Sequence, residues 1–146
     1  MLLDRLIRWF KQFSHGGAGG AREIGAAGER AAERFLRERH GYEIVAKNWR
    51  SGKDEIDLVC RDRDVLVFVE VKARSSGALV PGYYAVDRRK KKALRRAIHA
   101  FLTSLRSRPR TFRFDIVEVQ MEAGRPDQVL VFENIPLFPK GYHFVR

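Results

Sequence analysis

A single cysteine, Cys60, leaves the chain without an internal disulfide framework. The four histidines share no zinc-ligand spacing with it or with one another. Phosphate-loop (G-x-x-x-x-G-K-[ST]) and H-E-x-x-H patterns are both missing, and neither Cys60 nor any serine has a convincing base partner, which argues against three common hydrolytic chemistries. No apolar run is long enough to span a bilayer. The first stretch, MLLDRLIRWFKQF, is apolar at 2, 3, 6, 7, 10 and 13 but broken by Arg5, Arg8 and Lys11, so it also lacks the continuous core of a secretory signal. Its pattern predicts an amphipathic helix over 1–14 that packs on the domain or a partner, the alternative being membrane-surface contact through residues 2–13. HGGAGGA at 15–21 reads as a flexible linker, leaving 22–146 as a single domain. A reducing cytoplasm is the expected location.

Acidic residues are also scarce: Lys and Arg number 29 against 18 Asp and Glu, a formal charge of +11 that suits an anionic partner. Residues 88–110 hold ten Lys or Arg and no acid, so most of the excess sits in one segment. That segment carries apolar residues at 93, 94, 97, 98, 101, 102 and 105, the period of a helix bounded downstream by Pro109. Lys92, Arg95, Arg96 and His99 project away from the apolar stripe and predict a continuous basic face, although a merely solvated face has the same pattern.

An earlier helix is predicted over 24–40, with Ile24, Ala27, Ala31, Ala32, Phe35 and Leu36 at helical spacing and Gly41 as its stop. Strands are predicted at 42–47, 55–60, 65–72, 112–119 and 129–133. The order α-β-β-β-α-β-β implies an α/β fold with a mixed central sheet flanked by helices.

The chemistry concentrates in VLVFVEVK. Alternation puts Glu70 and Lys72 on one strand face with Leu66 and Phe68, and Val65, Val67, Val69 and Val71 on the other. An acid and a lysine in so apolar a strand are costly to bury unless paired or bound to a metal. Asp57 arrives from the preceding strand through the polar link RDRD at 61–64. If Arg61 pairs with Asp64, Asp57 is a diagonal neighbour of Glu70 at roughly 7–8 Å; if Arg61 pairs with Leu66, the two acids are opposite at about 5 Å. Two carboxylates about 5 Å apart repel by roughly 3 kcal/mol at an effective dielectric near 20, so a proton, Lys72 or a cation must lie between them. Carboxylate and carbonyl oxygens suit Mg²⁺ or Mn²⁺ rather than zinc. Glu29 falls on the apolar stripe of the first helix and is a fourth candidate, the alternative being an acid favoured by the helix N-terminus. Glu55 shares the Asp57 face and is a candidate for supporting contacts.

Asp followed one strand later by Glu-x-Lys resembles the PD-(D/E)XK nuclease core of many restriction enzymes and archaeal Holliday-junction resolvases. The longer succession GERAAERFL, GYEIVAKNWR, EIDLV, VFVEVKAR, AVDRRK and FRFDIVEV resembles the YraN family of bacterial proteins across about residues 28–119. The resemblance implies a restriction-endonuclease-like fold and a site of Glu29, Asp57, Glu70 and Lys72, with Lys90 matching a family lysine in a phosphate-contacting role. Asp54 departs from the family's usual glycine before Glu-Ile-Asp, and the N-terminal extension precedes the usual family start. Asp115 also matches a family position, but Arg113 on its own strand face gives it a structural partner, which is the reading preferred here.

Together these readings predict metal-dependent hydrolysis of phosphodiester bonds in nucleic acid, DNA ahead of RNA, with branched or flapped DNA as an analogy to the resolvases. Asp57, Glu70 and the Val71 carbonyl would hold Mg²⁺ or Mn²⁺, Glu29 would position a further ion or water, and Lys72 would orient or activate the attacking water. Lys90, Lys92, Arg95 and Arg96 would grip the backbone. A homodimer is suggested by the same analogy. The rival readings are a binding module that keeps the fold without turnover, and a scaffold attached through residues 2–13.

Overall fold

The computed structural model describes residues 18–75 and 87–144. The amphipathic helix expected over 1–14 lies outside the described residues, as does the beginning of the Gly-rich linker. In chain order the elements are α1 (Ala18–Arg39), β1 (Glu43–Ser51), β2 (Asp54–Asp62), β3 (Val65–Ser75), α2 (Arg88–Ser104), β4 (Thr111–Glu122) and β5 (Arg125–Phe132). This is the expected order. Boundaries differ: several strands run past their predicted ends, β1 to Ser51, β3 to Ser75, β4 to Glu122 and β5 back to Arg125. α1 starts within the 15–21 stretch, because Ile24 and Ala27 pack against the sheet and the helix continues outward through Gly20 and Gly19 despite their poor propensity. At its other end Gly41, at φ +69°, turns the chain so that the Tyr42 N–H reaches back to the Leu36 carbonyl at 3.1 Å.

The five strands form one sheet in the order β1-β2-β3-β4-β5. β3 and β4 are parallel and every other neighbouring pair is antiparallel. A parallel pair needs a crossover, and α2 lies within it. The alternation along β3 divides the core as predicted. Leu66 and Phe68 pack with Leu94, Ile98 and Leu102 of α2, whereas Val67 and Val69 pack with Ala31, Ala32 and Leu36 of α1. Each helix therefore covers one face of the sheet. Gly28 lets α1 approach closely, since a Cβ there would stand 3.1 Å from the Ala73 Cβ.

Two further features complete the fold. The segment after β5 returns to the α2 face, where Leu137 and Phe144 are buried and the Ile135 N–H donates to the Phe114 carbonyl at 2.8 Å. On the α1 face, Asp115 receives Arg113 Nε at 3.1 Å and the Asn134 N–H at 2.8 Å, so its structural reading agrees with its contacts. Cys60 is fully buried and its thiol is pushed up to about 12 by burial and then by the charge of Asp115, which leaves it inert at neutral pH.

Candidate metal and nucleic-acid site

β2 and β3 are paired from Asp62↔Val65 to Leu58↔Val69, and there the ladder ends. The register is Arg61↔Leu66, the closer of the two considered above, so Asp57 comes level with Glu70 just where the strands part. Ile56 and Val59 both face α2, which breaks the regular alternation of β2 around Asp57. The Asp57 carboxylate occupies the gap: its Oδ2 accepts the Val71 N–H at 2.8 Å. The N–H and C=O of an extended residue leave the strand on the same edge, so the Val71 carbonyl also faces this gap.

Glu70 is only 3% exposed. Its Oε1 lies 3.2 Å from Lys90 Nζ and 3.4 Å from Lys72 Nζ, while its Oε2 is buried without a hydrogen-bond partner. Lys90 thus reaches across from the first turn of α2. Burial works against its charge, but the Glu70 carboxylate, followed by Asp57 and Glu55, holds its pKa above the usual lysine value. The Asp57 carboxyl is pushed well above the ordinary carboxylate range, first by burial and then by the charge of Glu70, against the lowering effect of the Val71 N–H. A folded pKa above the unfolded one means that stability is present at acid pH and is lost as pH rises through the folded value. Asp57→Asn keeps an acceptor for Val71 and removes the ionisation. It is therefore expected to raise the melting temperature of the metal-free protein by about 3–6 °C at pH 8 and by much less at pH 4, checked by thermal unfolding in EDTA.

Glu29 sits well inside α1, so attraction to the helix N-terminus does not account for its position. Asn48 holds it: one amide nitrogen donates to Glu29 Oε2 at 3.0 Å and to Glu55 Oε1 at 3.2 Å, while Arg50 lies 3.1 Å from Glu55 Oε2. Burial, then the charges of Glu55 and Glu70, raise the Glu29 pKa, placing it within electrostatic reach of the main pair. Asn48 was not singled out from sequence. The only local signal was an asparagine, one of the residues that tolerate the left-handed region it adopts at φ +47°. Arg74 and Glu118 were also missed; they form a buried pair at 3.8 Å, with Arg74 on the same strand face as Glu70 and Lys72.

Among the described residues no three His, Cys, Asp or Glu side chains are gathered into a ready metal cage. Mg²⁺ commonly takes only one or two carboxylates and fills its remaining positions with water and phosphate. Asp57, Glu70 with its unpartnered Oε2, and the Val71 carbonyl are hard oxygen donors that fit this coordination.

The basic helix is less open than its sequence implies. Arg95 Nη1 donates to the Leu137 carbonyl at 2.9 Å, and Arg96 forms a two-bond pair with Asp54 at 2.9 and 2.8 Å. His99 packs edge-on to Phe144 at 5.0 Å. Of the expected continuous face Lys92 stays exposed without such a contact among the described residues, beside exposed Arg88 and Arg89, because Arg95 anchors the C-terminal segment and Arg96 the β1–β2 turn. Asp54, the residue at odds with the family pattern, is itself that turn's anchor. Arg88, Arg89 and Lys90 occupy the first turn of α2, where the helix dipole disfavours cations; the Asp87 cap opposes them there, and Glu70 pairs with Lys90. Positive potential is concentrated at the end of the helix nearest Glu70.

A mixed sheet covered by a helix on each face, with its acids and lysines at the divergence of β2 and β3, defines a restriction-endonuclease-like α/β protein. Residues 28–119 match the uncharacterised protein family UPF0102, the YraN family, and the chain belongs to that family. It is 48% identical over 96 residues to a UPF0102 protein of Beutenbergia cavernae, covering 66% of this chain and 80% of the relative. A UPF0102 protein of Symbiobacterium thermophilum is 44% identical over 100 residues, covering 68% and 84%. One from Acetivibrio thermocellus is 44% identical over 109 residues, covering 73% and 82%. Among the described residues no helix is long and apolar enough to cross a membrane.

Proposed function

We propose that this protein is a metal-dependent endonuclease acting on nucleic acid, with DNA as the favoured substrate. The observation that carries this reading is Glu70: a carboxylate buried in the central strand, level with Asp57, with two lysines on one oxygen and no hydrogen-bond partner on the other. Such an arrangement costs stability and suits a group that waits for a cation. Asp57, Glu70 and the Val71 carbonyl would hold Mg²⁺ or Mn²⁺, which when bound supplies charge stabilisation to the phosphodiester undergoing hydrolysis. Lys72, beside Glu70, orients the attacking water and takes part in its deprotonation. Lys90 meets the scissile or adjoining phosphate, and Glu29, fixed by Asn48, holds a further water or ion at the rim. Arg88, Arg89 and Lys92 bind the backbone without reading bases.

The ion pairs also support a second reading. Lys72 and Lys90 already balance Glu70 without a metal, which favours a binding module that keeps the fold but has no turnover. Incubation with single-stranded, duplex, flapped and four-way DNA, in Mg²⁺, Mn²⁺ or EDTA, separates the two. The nuclease reading expects cleavage products only with metal and a preference among the four substrates. Salt-sensitive binding without products, at a metal concentration where calorimetry shows the site filled, would transfer the protein to the second reading.

A further inference from the structure

A cavity of about 350 Å³ opens at the opposite end of the sheet from the carboxylates, where the end of α2, the start of β4 and the C-terminal segment meet. Its lining includes Arg108, Arg110, Phe112, Phe138, Tyr142 and His143, and contains no Asp or Glu. Arg113 also borders it, but that charge is already balanced by Asp62 and Asp115. Arg108 and Arg110 are exposed and carry no ion-pair partner among the described residues, leaving the cavity an uncompensated positive potential.

The rings beside these cations are arranged as a platform. Tyr142 stacks on Phe138 with centroids 4.4 Å apart and planes 25° apart, and Phe112 supports Phe138 edge-on at 5.7 Å. Tyr142 is nevertheless 37% exposed, one of two large hydrophobic side chains exposed among the described residues. A flat ring held by a second ring, in a cavity that two guanidinium groups also line, one of them lying 5.7 Å over the Phe144 ring, has the chemistry of a site for an aromatic anion. The volume lies at the low end of the range of roughly 300–1,000 Å³ that holds small ligands, which suits a base with its sugar but not a duplex. An apolar peptide would leave both arginines uncompensated.

We propose that this cavity takes an unstacked base from a single-stranded segment of nucleic acid, with Tyr142 stacking on the base and Arg108 and Arg110 meeting the flanking phosphates. The proposal rests on the nucleic-acid reading above and specifies its substrate: a duplex with an unpaired strand. α2 connects the two places. Lys90 is in its first turn at the carboxylates and Leu102 lines the cavity near its end, a separation of roughly 18 Å along the helix axis. This corresponds to about five base steps of duplex. Exposed Arg88, Arg89 and Lys92 belong to the same helix.

The test is fluorescence anisotropy with the full chain in EDTA, where no metal-dependent cleavage intervenes. The probes are a labelled 20-nucleotide single strand, a blunt 20-base-pair duplex and the same duplex with a ten-nucleotide tail. Tyr142→Ala is expected to weaken the single strand and tailed duplex by about 5- to 100-fold and the blunt duplex by less than about twofold. Tyr142→Trp is expected to retain the wild-type preference, and thermal unfolding checks that both variants fold. Equal weakening of all three probes, or none, would overturn the proposal. So would displacement of the tailed duplex by an uncharged apolar peptide in wild type but not in Tyr142→Ala, since that assigns the cavity to a peptide. If tail-dependent binding requires Tyr142 while no substrate is cut with Mg²⁺ or Mn²⁺, this inference stands and the nuclease reading falls.

Discussion

Glu70→Ala is expected to reduce metal-dependent cleavage by at least about 10³-fold while leaving nucleic-acid affinity unchanged or modestly tighter. The loss follows from removing one of two carboxylates that would hold the ion and, with it, the partner that fixes Lys72 at 3.4 Å. The gain in affinity comes from the other side of the same contact. Lys90 Nζ is held by Glu70 at 3.2 Å, so truncation releases its charge to a phosphate-bearing ligand. A variant that bound more weakly as well as cutting less would indicate a folding defect, and thermal unfolding reveals it. Single-turnover cleavage measured beside EDTA binding isotherms separates the outcomes. Persistent cleavage above one-tenth of the wild-type rate would exclude Glu70 from the chemistry.

Asp115→Ala is expected to cost about 3 kcal/mol of folding stability, lowering the melting temperature by roughly 10 °C, although its side chain lies on the opposite face of the sheet from Glu70. Asp115 is 1% exposed and accepts Arg113 Nε at 3.1 and 3.2 Å together with the Asn134 N–H. Its removal leaves Arg113 dependent on Asp62 at 3.1 Å and on the Tyr42 hydroxyl at 2.6 Å, and it deprives the turn at Asn134 of an acceptor. Burial already raises the Tyr42 hydroxyl to about 12, so that group stays neutral and cannot replace the missing charge. Replacing Arg113 with Met and Asp115 with Leu together is expected to recover at least half of the loss, because an apolar pair does not strand a buried cation. Denaturant unfolding of both variants is the check. A change below about 0.5 kcal/mol in Asp115→Ala would show that the network contributes little.

The order of elements and the division of the core were legible because VLVFVEVK alternates strictly and both helices repeat their apolar residues at the helical period. The same alternation located Glu70 and Lys72, and the short polar link narrowed Asp57 to two registers. Choosing between those registers required the fold, since both preserve the strand face. Contacts formed across the chain were not legible. Nothing near Lys90 indicates that it pairs with Glu70, and nothing near Arg95 or Arg96 indicates that the tail and the β1–β2 turn consume them. Local sequence reports which side of a helix is polar, but not what stands opposite that side. The C-terminal segment illustrates the same limit: Leu137 and Phe144 lack any regular period, yet both are buried beside α2.

The parallel pairing of β3 with β4 bears on how the protein acquires its site in time. β1, β2 and β3 can associate through local hairpins while the chain is still being made, but one side of β3 has no partner until Thr111 and the residues after it arrive. Lys90 lies within that long crossover, so its contact with Glu70 belongs to the later, nonlocal stage of folding. A nascent chain can therefore carry Asp57 and Glu70 on adjacent strands before it has the lysine from α2. Full assembly of the carboxylate–lysine cluster is delayed until the crossover closes, which reserves any cutting capacity for completed molecules.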